Sequence, residues 1–456
     1  MMTTPRTSHS TASTPEPEAY GVGTSTEADG TQRSMTTRDM RRVIASSFMG
    51  SMIEFYDFIL YATASSIVFS KVFFSNLPPG FAIFASFATF AVGYLARPLG
   101  GIVFGHFGDK YGRKNVLILS MVLMGTASII MGLLPSTSTI GIAAPIALVV
   151  LRIVQGVSVG GEWGGAVLIA LEHAPKKSRG LAAGLANAGG PVGAVLATLM
   201  LGLFSNLPED KFLSWGWRVP FLLSVVLLAV GLVIRLRVAE TPMFVRLDQQ
   251  SEKKRVPILE VLRLHWRTVV VALVAVLAFT VTQGLMTVWG VSEAVGHGAN
   301  ATGVLNWKAV GAVSTVVIAI AAAKVSDRLG RRAVIVAGCV LGAILAFPII
   351  ALLQTGTVWG FAIAIIVGNG IVQGIVYGPM AAFVAEQFPT ALRFTGASAA
   401  YQTASTLGAG FSPLIATSLV LGFSAAWPVA VFWIGIFALA AVAVLVTPEG
   451  RDRRID

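Results

Sequence analysis

The chain has 456 residues, of which 55% are hydrophobic and only 12% charged. A soluble domain is nearer one-quarter charged, so much of this surface must face lipid, and a water-soluble enzyme or binding module is excluded. The net charge of +11 would suit nucleic acid, but the positions of Lys and Arg, given below, explain it by membrane topology instead.

Residues 1–40 are rich in Ser, Thr, Pro and Gly and carry no apolar run of the signal-peptide kind. They are expected to be a disordered tail. Apolar runs of about 20 residues, each long enough to cross a bilayer, then recur to the end of the chain. Twelve spans are predicted, near 43–70, 81–105, 116–135, 143–170, 181–205, 216–236, 267–291, 303–324, 333–354, 357–386, 395–421 and 425–447. The long basic stretch 237–266 divides them six and six. The expected organisation is a tail (1–40), a six-helix half (41–236), a central loop (237–266), a second half (267–447) and a short tail (448–456).

Lys and Arg fall on one side of these spans. Arg38, Arg41, Arg42, Lys110, Arg113, Lys114, Lys176, Lys177 and Arg179 lie there, with the central loop, Lys324, Arg328, Arg331, Arg332, Arg393 and the C-terminal arginines. The other side has Lys71, Lys211, Arg218 and Lys308. The positive-inside rule puts both termini and the central loop in the cytoplasm of a plasma (inner) membrane protein. No nucleic-acid partner is then required. A single cysteine, Cys339, and five scattered histidines provide no disulfide, metal cluster or histidine relay. No nucleophile–base motif is present, so a membrane enzyme is not expected. A transport-dead sensor would need a large soluble output domain, which the sequence does not contain.

The halves repeat. "GDKYGRK" (Gly108–Lys114) returns as "SDRLGRR" (Ser326–Arg332), with Asp109 and Asp327 218 positions apart. "EHAPKKSRG" returns as "EQFPTALRFTG", with Glu172 and Glu386 214 apart. Two echoes at nearly one offset indicate two homologous six-helix halves, the architecture of alternating-access carriers that bind substrate between halves near the midplane.

These loops, with "IEFYDF", "RPLGGIVFGHFGDKYGRK", "RIVQGVSVGGEWGGA", "WGWRVPF", "ETPMF" and "EQFPTALRFTGAS", resemble the major facilitator superfamily, and within it the metabolite:proton symporters. The resemblance covers roughly Arg41 to Pro448. It implies an all-α membrane protein of twelve transmembrane helices in two pseudo-symmetric six-helix halves. It also implies transport of a small metabolite with protons, with the proton gradient as energy source and no cofactor. Carriers of shikimate, of dicarboxylates such as ketoglutarate and citrate, and of betaine or proline belong to this family. "GGPVGAVLATLML" in span 5 looks more like the organic-acid members. It also resembles faintly the Gly-Pro signature of drug antiporters, from which its glycine spacing departs. The chain stops nine residues after Thr447, without the C-terminal coiled coil of some osmolyte members. Uptake of a small organic acid is therefore expected, with a zwitterionic osmolyte as the alternative.

An ionisable residue deep in a span is costly unless paired or hydrated, and marks function. Glu54, Asp57, Arg97, Arg152 and Glu162 qualify, all in the N-terminal half. Counting a helical rise of about 1.5 Å per residue puts Asp57 roughly 21 Å and Arg152 roughly 27 Å from the cytoplasmic end, within reach of each other. Glu54 lies roughly 16 Å in, and Arg97 and Glu162 roughly 12 Å in, so both glutamates can approach Arg97. Lys308, near the outer end of span 8, is expected to snorkel to the interface. With every group ionised, the three acids and two arginines hold one net negative charge, which one proton neutralises. An acid beside a movable arginine can give up and regain a proton as the arginine comes and goes. Proton-coupled sugar carriers of the superfamily similarly pair an aspartate in span 1 with an arginine in span 4, the positions of Asp57 and Arg152 here. Asp57 is expected to carry the proton and Arg152 to be its switchable partner and the anchor of a substrate carboxylate. A static ion-pair network that only fixes packing is the competing reading; it is the better one for Arg97, which lies nearer the cytoplasmic gate, and it stands open for Glu54 and Glu162.

Other candidates for the substrate cavity are Tyr61, Gln155, Asn187, Gln283, Tyr401 and Gln402. Asn369, Gln373 and Tyr377 join them, spaced four apart and so on one face of a regular helix. Interhelical packing would use the same polar residues. Asp109 and Arg113, with their second copy Asp327 and Arg331, are expected to latch helices at a cytoplasmic gate, as the resemblance implies.

Overall fold

In lipid every backbone polar group must be satisfied within the chain, so apolar runs of this length fold as helices. A computed structural model describes residues 37–100, 103–104, 113–159, 189–237, 263–389 and 393–449. The N-terminal tail and most of the central loop lie outside this set. The main body is Arg41–Asp456.

The described residues form twelve principal helices. In chain order they are α1 (Thr37–Ile67), α2 (Pro79–Gly100), α3 (Arg113–Leu133), α4 (Ala143–Val159), α5 (Gly189–Phe204) and α6 (Glu209–Val233). The second half comprises α7 (Trp266–Gly296), α8 (Ala301–Leu329), α9 (Arg331–Leu353), α10 (Val358–Glu386), α11 (Thr395–Phe423) and α12 (Trp427–Val446). Eight are long and apolar enough to cross a membrane as they stand, and three shorter apolar helices lie in α3, α4 and α5. Local sequence sets their ends. Prolines occupy the first turn of α2 and α12, where no amide donor is needed. Asn300 and Thr357 cap α8 and α10 by accepting from the amides of Gly303 and Gly360, each at 3.0 Å. Gly330 turns the chain between α8 and α9 with φ of +96°, open to glycine at little cost.

Four helices contain a π-helical stretch, at Phe212–Gly216 in α6, Leu285–Trp289 in α7, Ile366–Gln373 in α10 and Thr406–Gly410 in α11. Such stretches concentrate at functional sites.

Small residues bring the helices together, as expected where lipid gives no hydrophobic drive for association. Gly189 and Gly193, one turn apart in "GGPVG", press α5 onto the backbone of α1. A Cβ there would fall 2.3 Å from the Phe48 carbonyl oxygen and 2.1 Å from that of Met52. The span-5 motif is thus a packing device. Between α2 and α4 a Cβ on Gly156 would stand 2.1 Å from the Gly93 carbonyl oxygen, and one on Gly100 1.9 Å from that of Val157.

The two halves meet along a polar seam at the end bearing Lys71 and Lys211. Ser66 Oγ donates to the Val288 carbonyl (3.0 Å), Lys308 Nζ to Thr63 Oγ1 (2.7 Å), and Ser205 and Thr302 share a hydroxyl bond (2.9 Å). Deeper in, Thr406 Oγ1 donates to the Tyr94 carbonyl at 3.1 Å. At the opposite, basic end, Arg331 is buried among acids. Its Nη1 lies 2.6 Å from Asp327, its Nε 3.5 Å from Glu386, and Nη1 also donates to Ser326 (2.7 Å). Glu449, just past α12, accepts from the amides of Arg331 (3.2 Å) and Arg332 (3.1 Å), a carboxylate at a helix N-terminus.

Two outcomes test this packing. Gly156→Val forces α2 and α4 apart, and overpacking of this kind costs about 1–3 kcal/mol. Its unfolding temperature in detergent should fall by several degrees, and an unchanged value would mean that the seam is looser than drawn. Arg331→Gln strips the cation from buried Glu386 and partly buried Asp327, a loss of about 3–5 kcal/mol. It should destabilise the protein clearly more than Arg331→Gln combined with Glu386→Gln, measured in the same melt.

Candidate functional site

The site is built around α1, whose successive side chains reach different neighbours. Tyr56 donates to the Pro220 carbonyl of α6 at 2.8 Å. Asp57, 1% exposed, accepts from Ser224 of α6 at 2.5 Å. Ser128 of α3 also faces its carboxyl. The second oxygen, Oδ2, has no hydrogen-bond partner. Tyr61 donates to Thr89 of α2 at 2.6 Å, and Thr63 faces α8.

Arg152 of α4 is fully buried, and no carboxylate among the described residues holds it. Its guanidinium carbon lies over the rings of Tyr61 (4.0 Å), Phe58 (4.1 Å) and Phe90 (5.3 Å). Desolvated cation–π contacts of this kind contribute about 2 kcal/mol. Space for the side chain comes from Gly93, where a Cβ would fall 2.2 Å from Arg152 Nε. Arg152 Nη1 donates to Gln155 Oε1 (2.8 Å), and Gln155 Nε2 donates to Ser128 Oγ (2.6 Å). Asp57 and Arg152, which depth alone puts within reach, are therefore not hydrogen-bonded to each other. From Arg152 a hydrogen-bonded run passes through Gln155 to Ser128, which faces the Asp57 carboxyl. The aromatic box holds the guanidinium back, and the two intervening polar groups link it to the acid.

Arg97 is half-buried, with its guanidinium carbon 4.2 Å from the Phe58 centroid and 4.3 Å from that of Tyr94. One phenyl ring thus serves two arginines. Glu54 is 4% exposed and interacts electrostatically with Tyr94 and with Tyr401 of the other half. Tyr377 and Tyr401 flank Phe279 at centroid distances of 5.1 and 5.9 Å. Gln283 and Gln402 are half-buried nearby in sequence on α7 and α11. Gln373 Oε1 and Gln402 Oε1 are buried without a hydrogen-bond partner.

Asn369, Gln373 and Tyr377 do not form one stripe. The first two lie in the π-helical stretch of α10, whose wider turn breaks the i, i+4 register. Asn369 donates to Thr315 of α8 at 2.7 Å, whereas Tyr377 packs on Phe279 of α7. Lys308 does not snorkel. It is 3% exposed and reaches inward to Thr63 of the other half, because its face of α8 points at α1 rather than at the interface. The second half therefore does contribute a cation to the interior. Of the gate residues, Asp327 and Arg331 form the ion pair described above. Arg113 begins α3. Asp109, Glu162 and Asn187 lie outside the described residues.

Phe58, Phe90, Ser128, Ser224 and Thr63 were not singled out from the sequence, where hydroxyls and phenylalanines occur throughout the spans. A lysine in an apolar run was the one visible signal for the Lys308–Thr63 contact.

Comparison with known proteins bears on the family and the fold. The family model described as Major Facilitator Superfamily matches residues 47–393 and 306–455. The chain is similar to the shikimate transporter of Escherichia coli (strain K12), with 37% identity over 417 residues, 90% of this chain and 95% of that one. It is also similar to the proline/betaine transporter of the same organism, with 33% identity over 393 residues, 84% of this chain and 78% of the other. A crystal structure of a D-xylose-proton symporter superposes with a TM-score of 0.72 at 18% identity, over 91% of this chain and 99% of that one. The likeness to the symporter structure concerns the fold, twelve helices in two pseudo-symmetric halves. The family match and the two relatives establish that the chain is a multi-pass membrane transporter, not an enzyme, and belongs to the metabolite transporters of the major facilitator superfamily.

Proposed function

We propose that the chain takes up a small organic acid together with protons by alternating access in the inner membrane, its termini and central loop cytoplasmic. The two halves, 41–236 and 267–447, are the bodies that rock about the site. No cofactor is needed, because the proton gradient supplies the energy. The observation that carries the proposal is Asp57, a buried carboxyl with one oxygen on Ser224 and the other unpartnered among the described residues, faced by Ser128 at the end of a hydrogen-bonded run from buried Arg152 through Gln155. A carboxylate in that position is uncompensated, and taking up a proton supplies the donor that Oδ2 lacks. Arg152 keeps Nε and Nη2 without hydrogen-bond partners, two parallel donors of the kind that grip a carboxylate. When a substrate carboxylate draws Arg152 from its ring box, the Gln155–Ser128 link transmits the change to Asp57. Tyr61, Gln283, Gln373, Tyr377 and Tyr401 would line the cavity, with Asn187 completing it. Glu162 and Arg97 would set the charge balance on the cytoplasmic side. Asp109 with Arg113, and Asp327 with Arg331, would hold the cytoplasmic gate.

A second reading is a zwitterionic osmolyte. Glu54 beside tyrosines of both halves, with Arg97 on the adjoining ring, offers charges of both signs, and a relative is named as a proline/betaine transporter. Uptake of labelled shikimate, ketoglutarate, citrate, benzoate-type acids, proline and betaine into proteoliposomes, with and without a pH gradient, separates the readings. Uptake restricted to the zwitterions would reject the first.

Asp57→Asn should abolish gradient-driven accumulation while leaving substrate exchange across the membrane. Accumulation retained in this variant would remove Asp57 from the proton pathway. Gln155→Leu breaks the link without touching either charge, and an unmade buried hydrogen bond costs about 1–3 kcal/mol. The accumulation ratio should fall about tenfold and the pH profile of uptake should move, with exchange largely kept. An unshifted profile would show that the two ends act independently.

A further inference from the structure

Six charged side chains are buried among the described residues: Glu54, Asp57, Arg152, Lys308, Arg331 and Glu386. Arg331 and Glu386 face each other, and Arg152 has its ring box. Among the described residues Lys308 has neither a carboxylate nor a ring. Its ammonium makes one hydrogen bond, to Thr63 Oγ1 at 2.7 Å. Thr63 is held as an acceptor, because its own hydroxyl proton is given to the Ile59 carbonyl at 2.7 Å. The other side-chain bonds across this seam, Ser66 to Val288 and Ser205 to Thr302, are neutral. The described residues therefore leave the Lys308 amino group, a positive charge when protonated, on one neutral acceptor at the closure between the halves.

Such a charge resists burial strongly. The Lys308–Thr63 bond exists only while the outer side is shut, since Thr63 is on α1 and Lys308 on α8. Opening the outer side parts the two residues and returns the ammonium to water. We propose that Lys308 is an anion-sensing cation of the outer closure. It opposes shutting of the unloaded carrier and is compensated when a carboxylate-bearing substrate enters between the halves. A ligand shifts a conformational equilibrium only through its differential interaction with the two states. A negative charge brought near a desolvated ammonium interacts more strongly in the shut state than in the hydrated one. Lys308 thus gives the second half its own anion site and ties closure to the charge of the cargo. The compensation step rests on the reading of the substrate as an anion, whereas the bias against closure does not.

The test uses the full chain in proteoliposomes, with Cys339→Ser as background and Ser66→Cys as reporter. Ser66 is 5% exposed in the shut seam. A membrane-impermeant maleimide added outside reads how often the seam opens. Lys308→Met should slow labelling of the unloaded carrier about tenfold, the change expected for a one-decade shift in the open fraction. Lys308→Arg should label as the parent does. Thr63→Val, which removes the acceptor and keeps the shape, should label faster, and this arm decides the matter if Lys308→Met does not fold. In the parent, shikimate or ketoglutarate should protect Ser66→Cys, and that protection should weaken in Lys308→Met. Unchanged labelling in both Lys308→Met and Thr63→Val overturns the proposal whatever the substrate is. Slowed labelling in Lys308→Met with protection by proline or betaine, and by none of the acids, instead overturns the anionic-substrate reading and the compensation step with it.

Discussion

A charge removed from water must find compensation inside the protein, and α1, α2, α3, α4 and α6 of the first half each supply some of it. Arg152 shows how. It has no carboxylate at hand, so α1 and α2 provide three aromatic faces, α4 provides Gln155, and Gly93 vacates the volume its side chain fills. The close approach of α2 to α4 is possible because Gly93, Gly100 and Gly156 lack side chains. Helix packing and electrostatics are therefore one problem here, since the glycine seam that joins two helices also makes room for the guanidinium between them.

The same requirement explains the asymmetry between the halves. The first half ties Arg152 through Gln155 to Ser128, which faces Asp57. The second half holds Arg331 in a carboxylate cluster at the basic end and Lys308 against a hydroxyl of the opposite half at the other. One end of the second half is thus locally neutralised, and the other depends on what it meets across the seam.

The fold was legible because apolar length, loop charge and repeated loops are one-dimensional signals. Asp57 and Arg152 were legible for a similar reason, as each is conspicuous in an apolar run. Their relation was not. Depth along a helix says nothing about azimuth, so two groups at similar depth appeared to be partners while Gln155 and Ser128 stood between them. Lys308 was misjudged on the same ground, since its distance from the helix end fitted an interface and its direction did not. Phe58 carries no sequence mark of stacking against two arginines. The Asn369–Tyr377 spacing failed because a π-helical stretch altered the number of residues per turn.

That stretch has a mechanical meaning. Passing from a wide turn to an ordinary one removes a residue from the turn, and each residue of a regular helix occupies roughly 100° of rotation. A helix that tightened at Ile366–Gln373 would turn everything beyond it by about that angle while its ends stayed anchored in the membrane. Tyr377, four residues past the end of that stretch, would sweep from the Phe279 side toward another neighbour. With similar stretches in α7 and α11, the second half possesses torsional joints within its helices, so its inner walls can be re-aimed without the halves themselves changing place.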